Sequence, residues 1–325
     1  MQQTDTVFVS QGGSIAVDAK GNFYVSDHIN ANIQRFASDG RLKGVTGTRG
    51  AGVGQFFRPG TLAIDGDSLL LVVDGGYRVK AFGLVDGREH WSRDLPHRPT
   101  ITLVSSRNGI LVHAPDSAKH ATIGVFRGAA DSVKYRGPFP WPLGKKNGLV
   151  DTWFSHNVIA PLGGDTVATM IVASDYLFWG SLERGVFDSI LVPVQRRKGS
   201  GEALLKKVTS NVESTRPLFW NTSAPMASAR LSSGLVAIVF ADESLQRGRM
   251  QGVLYVSLID LRARRTCVDA AVDVAVEPLP WTTFHADTLE VLTQEVSASG
   301  KATASVLKFT IQPDRCDWIA DGAHQ

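Results

Sequence analysis

Cysteine is nearly absent from this chain. Cys267 and Cys316 are its only two, too few for a disulfide framework. Each follows the third apolar stretch of its own segment, "VLYVSLIDLRARRTC" and "ASVLKFTIQPDRC". Equivalent positions on neighbouring repeats would lie too far apart for the Cα separation of about 4.4–6.8 Å that a bridge requires. The spacing therefore favours two free thiols. Long apolar runs are missing as well, and no stretch approaches the ~18 residues of a membrane span. The opening "MQQTDTVFVS" lacks the charged and apolar regions of a signal peptide and runs straight into strand-like sequence. Charge of one sign is also scarce: 34 Lys and Arg against 31 Asp and Glu leave +3. The basic runs "QRRKG" (195–199) and "RARR" (262–265) are short and scattered, which argues against nucleic acid as a partner. Helical periodicity is rare, and "GEALLKKV" (201–208) is its best example.

Repetition is abundant. Gly13-Ser-Ile-Ala-Val-Asp18 matches Gly60-Thr-Leu-Ala-Ile-Asp65, Asp27 matches Asp74, and Asp39-Gly40 matches Asp86-Gly87, always 47 residues apart. A fixed period of that size marks a solenoid or a propeller. The first unit reads as four short strands, "SIAVD", "NFYVSD", "NIQRFA" and "RLKGVT", with Gly, Asn and Asp in the turns between them. The rhythm continues, more loosely spelled, with first strands starting near 14, 61, 101, 157, 224 and 281. The expected architecture is all-β: one domain, 1–325, forming a six-bladed β-propeller of four-stranded antiparallel blades. The N-terminal "TDTVFVS" is expected to complete the last blade and close the ring.

Over about residues 13–90 the chain resembles the NHL repeat. "GAGVGQFFRPGTLAID" (50–65), "VVDGGYRVKAF" and "GNFYVSDHINANIQRF" carry the likeness, with Gln55, Phe56 and Pro59 in their usual places. Asn32 stands where that repeat usually has an Arg. The resemblance implies a rigid binding scaffold. It also implies an extracytoplasmic location, because NHL-like propellers without a fused signalling domain are often exported.

Candidate chemistry gathers at strand ends. Asp27, Asp74, Asp116, Asp175 and Asp242 are each expected to end a second strand. Such a carboxylate ordinarily accepts hydrogen bonds from turn amides, so a structural role is expected for the series. Histidines are more suggestive. His28 follows the first such Asp, His113 and His120 flank the third, and His97 and His156 precede first strands. Imidazoles converging from separate strands suit zinc, whose bound water becomes a nucleophile near neutral pH. Among six-bladed NHL-like proteins, the peptidylglycine amide lyases use such a histidine set with Tyr and Arg; that resemblance points to Tyr77 and Arg78. Gluconolactonase-like propellers need an acidic ligand on the first strand, where this chain has Ser14. "GTRGAGVG" (47–54) lacks the Lys-Ser/Thr ending of a phosphate loop, and no Gly-x-Ser-x-Gly elbow occurs. Trp141 in "PFPWP" is the one aromatic expected to be exposed in a loop.

The expectation is a scaffold for a protein, peptide or small-molecule ligand, with no catalytic residue assigned and a monomer as its state. Its mouth would carry His28, Asn30, Arg58, Tyr77, Arg78, His97, His113 and His156. The alternative is a metal-dependent lyase or hydrolase at the same mouth, with zinc or calcium held by His28, His113 and His156.

Overall fold

A computed structural model describes residues 12–95, 102–116, 121–137, 157–172, 174–192, 224–246, 249–276, 281–296 and 302–321. Among these the chain forms six antiparallel sheets, five of them from strands consecutive in sequence, and a short parallel pair, Thr48–Arg49 with Gln55–Phe56. First strands are Gly12–Val17, Pro59–Asp65, Leu103–Ser106, Asn157–Gly163, Ala224–Arg230 and Trp281–His285. The fold is a six-bladed β-propeller of mostly four-stranded sheets. The expected closing strand and the "GEALLKKV" segment lie outside the described residues.

The two clearest repeats show how sequence sets register. Gly12 to Pro59 and Asp27 to Asp74 are each 47 apart, whereas the third strands, Asn32–Phe36 and Arg78–Gly83, begin 46 apart. The second turn is one residue shorter, and Gly75 and Gly76 supply the positive φ angles it needs. Val25 pairs with Gln34 and Val72 with Lys80, so Lys80 occupies the place of Gln34.

Contacts divide the described residues into two compact units. One comprises the described parts of Met1–Val112, Phe126–Val133 and Pro280–Phe309. Within it, successive residues of sheet one face opposite neighbours, as the two-residue period of a strand requires. Ala16, Tyr24 and Ile33 pack with Phe56, Leu62, Val72 and Phe82 of the second repeat. Ile15, Phe23, Val25 and Phe36 pack with Leu292, Trp281 and Val306 of the sixth sheet. Each large side chain so buried contributes about 1.5–3 kcal/mol. Polar tethers add direction: the Leu62 amide donates to Ser14 Oγ at 3.1 Å, and Arg35 donates to the Leu84 carbonyl at 3.0 Å.

The other unit comprises the described parts of His113–Val125, Lys134–Leu279 and Thr310–Gln325. Its core joins Val158, Met170 and Leu177 of the fourth sheet to Ile238, Phe240 and Tyr255 of the fifth. Here the expectation of free thiols is overturned. Cys267 and Cys316 form a disulfide, with their Cα atoms 5.4 Å apart. The spacing argument assumed that each cysteine stays on its own repeat. Instead, after Ala302–Thr310 the chain turns back, and Trp318–Ala320 joins sheet five as a fifth strand. Trp318 pairs with Cys267 in that ladder, which brings Cys316 within reach. Arg265 stacks on Trp318 at 4.5 Å, and Arg264 donates to Asp321 at 2.6 Å.

Candidate functional site

The loops that follow the second strands of sheets one and two, and the loop entering sheet two, meet at one end of the first unit. Asp27 is buried there and organises its own turn: it accepts from the amides of Ile29 and Asn30, both at 3.0 Å, and from Asn30 Nδ2 at 2.9 Å. Asp74 reaches across to the incoming loop and accepts from the amides of Phe57 and Arg58, at 3.0 and 2.7 Å. Gly75 in turn donates to the Arg58 carbonyl at 3.0 Å. These two repeat-periodic aspartates thus serve the loops, as the sequence pattern implies for them.

His28 is held by this turn half-buried against bare backbone. A Cβ on Gly13 would lie 1.9 Å from its Nε2, so only glycine admits the imidazole there. Nε2 itself is buried and has no hydrogen-bond partner. Burial, reinforced by the Arg58 guanidinium, holds the pKa of His28 below its ordinary value, the nearby Asp27 carboxylate notwithstanding. The imidazole is therefore neutral at neutral pH, with its Nε2 enclosed and unpartnered. Arg58 is exposed, and its guanidinium has no hydrogen bond or ion pair among the described residues.

The other expected site residues divide three ways. Asn30 and Tyr77 stand at this same end, Asn30 bound to Asp27 and Tyr77 exposed. Arg78 is there too, but it is engaged: Nε and Nη2 donate to the two oxygens of Asp94, which raises its pKa through that bond. His113 belongs to the second unit and is fully buried. His97, His120 and His156 lie outside the described residues, as do Trp141 and Trp153. Among the described residues no group of three or more His, Cys, Asp or Glu is placed to hold a metal ion.

Two features at this end escape sequence reasoning. Ile29 and Phe57 are solvent-exposed, 54% and 67%, although residues of their type ordinarily signal core. Lys80, by contrast, is buried to 1% exposure behind the site. Its Nζ lies 3.8 Å from Asp74 and 3.6 Å from Glu89, donates to the carbonyls of Gly52 and Gln55, and sits 5.5 Å from the Phe56 ring. Glu89 closes the circuit by accepting from the Gly54 amide at 2.7 Å. The signal available in sequence was a lysine at the Gln34 position, between the apolar Val79 and Ala81.

The six-bladed propeller is a fold that hosts many unrelated functions. Several solved structures share that fold. A member of the DUF4221 family from Bacteroides vulgatus superposes with a TM-score of 0.63 at 8% identity, covering 96% of each chain. A Bacteroides fragilis protein inferred to be exported gives 0.57 at 11% identity, covering 96% of this chain and 94% of that one. Virginiamycin B lyase from Staphylococcus aureus gives 0.52 at 11% identity, covering 94% and 96%. At such identities the likeness is one of fold. No protein-family model and no curated protein sequence matches the chain.

Proposed function

We propose that this chain is an NHL-like binding scaffold whose ligand face is the loop end of sheets one and two. One observation carries the reading: a buried, unpartnered Nε2 on His28, packed on Gly13, beside the unpaired Arg58. Buried polar atoms are nearly always satisfied, and an exception in a native structure calls for a role. A ligand that draws the imidazole off Gly13 to a hydrogen-bond partner and brings one anionic group for the guanidinium would satisfy both. The NHL-type spelling of the first two repeats supports the same assignment. The disulfide supports an extracytoplasmic location, since such bridges persist in oxidising compartments, and the exported class of the Bacteroides fragilis neighbour agrees with it.

A second reading, a metal-dependent lyase or hydrolase, is favoured by the same neutral imidazole. An unprotonated Nε2 is a competent ligand for zinc, and one neighbour bears the name of a lyase. On this reading His28 holds the metal, and the metal when bound supplies a nucleophile from water.

A thermal-shift screen of the full chain against divalent cations, small carboxylates and short peptides tests both. We expect at least one probe class to raise the unfolding midpoint of the parent, with about tenfold weaker apparent affinity in Arg58→Gln and His28→Gln. Probes acting equally on parent and both variants would remove this face from consideration. Zinc or calcium at one equivalent in purified parent, lost in His28→Gln, would favour the metal reading.

A further inference from the structure

Three large apolar side chains stand exposed at the same loop end: Ile29 at 54%, Phe57 at 67% and Tyr77 at 44%. They come from three different loops. Exposed hydrophobics scattered singly are ordinary, whereas a group rimmed by polar residues marks an interaction surface. The two aromatic rings converge on one spot. A Cβ on Gly75 would lie 3.1 Å from Tyr77 Cε1 and 3.6 Å from Phe57 Cδ1. Gly75, at φ +61°, lets the two rings close over bare backbone, where any larger residue would crowd Tyr77, and their exposed faces form one apolar surface.

Charge at this surface is one-sided. Asp27 and Asp74 are buried and accept hydrogen bonds from loop amides. Asp94 is held by Arg78. Arg49 donates to the Ile29 carbonyl, which orients it and leaves its charge unneutralised. Arg58 has no hydrogen bond or ion pair among the described residues, so its guanidinium is open to an incoming carboxylate. Aromatic residues and arginine together are the side chains that dominate protein–protein contact energies. A nucleic-acid strand fits less well. Its phosphates require a row of available cations, and here Arg78 is already paired with Asp94.

We propose that this face docks an acidic segment of a partner protein, one carrying an aromatic or large aliphatic side chain beside its carboxylate. The proposal rests on the reading of this loop end as the binding face and names its occupant. The apolar side chain lies on the exposed faces of Phe57 and Tyr77, Ile29 covers its flank, and the carboxylate pairs with Arg58.

A displayed library of random heptapeptides, panned on the full chain, supplies the probes. Selected heptamers are then titrated by fluorescence anisotropy against the parent, Arg58→Gln and the double variant Phe57→Ala, Tyr77→Ala. The expected consensus pairs Asp or Glu with Phe, Tyr, Trp, Leu or Ile. Affinity should fall about tenfold in Arg58→Gln, weaken as salt rises, and be lost in the double variant. These residues are on the surface, and matched circular-dichroism midpoints show that each variant folds; Tyr77→Ser replaces the double variant if it does not. No enrichment, a consensus without acidic residues, affinity unchanged in Arg58→Gln, or tighter binding of a thymidine dodecamer than of any heptamer would each overturn the proposal. If small carboxylates or cations still bind in a His28- and Arg58-dependent way, the face stands and its peptide occupant falls. If none bind, both fall.

Discussion

Burial and the Arg58 guanidinium both depress the affinity of His28 for a proton. A histidine whose folded pKa is lowered contributes stability that is complete above the unfolded value, about 6.5, and is lost as pH falls through the folded one. Arg58→Gln removes one of the two causes, so the imidazole should titrate higher, nearer 6.5, in a nitrogen-detected NMR titration. An unmoved His28 resonance would separate the two residues and weaken the site. Glu290 shows the opposite sign. It is buried, its Oε2 has no hydrogen-bond partner, and burial raises its pKa despite Lys308 Nζ at 3.5 Å. Its contribution is present below the unfolded pKa, near 4.5, and is lost as pH rises through the folded value. Glu290→Gln should therefore raise the denaturation midpoint at pH 7 and leave it unchanged at pH 4. A fall at pH 7 would mean that the pair with Lys308 outweighs the burial. Neither residue announced its state in sequence, because desolvation depends on what covers a side chain and not on its neighbours in the chain.

Sheet two and the loop that enters it are joined through Lys80. Two carboxylates and two carbonyls surround its Nζ in a site closed to solvent. Removing one partner of a buried ion pair typically costs about 3–5 kcal/mol, because the remaining charge is left uncompensated. Lys80→Met should lower stability by about that amount in urea denaturation, and it should loosen the 50–58 loop that carries Phe57 and Arg58. Hydrogen exchange at the Phe57 and Arg58 amides, which donate to Asp74, reads the second effect; protection equal to the parent's would confine Lys80 to a role within the strand. The repeat itself was plain in sequence at this scale. Alternation of apolar residues and the Gly, Asn and Asp turns follow from backbone sterics, which act over a few residues. The lysine clamp was not, since its partners come from positions 52, 55, 74 and 89.

Across the whole chain the largest departure from expectation is the return of the C-terminus to sheet five. The disulfide closes a loop of sequence separation 49, a length for which chain-entropy arguments give about 4 kcal/mol. Cys316→Ser should lower the unfolding free energy by about 2–4 kcal/mol and make the segment after Thr310 a substrate for limited proteolysis. Equal stability and an intact C-terminus would show that the pairing of Trp318–Ala320, the Arg265–Trp318 stack and the Arg264–Asp321 ion pair hold the segment without the bridge.

By itself the sequence determined the six-bladed all-β fold, the structural use of Asp27 and Asp74, and the absence of a helix long and apolar enough to cross a membrane among the described residues. Each of these is a local property, set by a two-residue period, a turn or a run length. The tertiary structure alone decided that Cys267 meets Cys316, that Lys80 is buried while Phe57 is exposed, and that His28 rests on Gly13 with an unpartnered nitrogen. Those outcomes depend on which residues, distant in the chain, share one small volume. No period along the sequence encodes that.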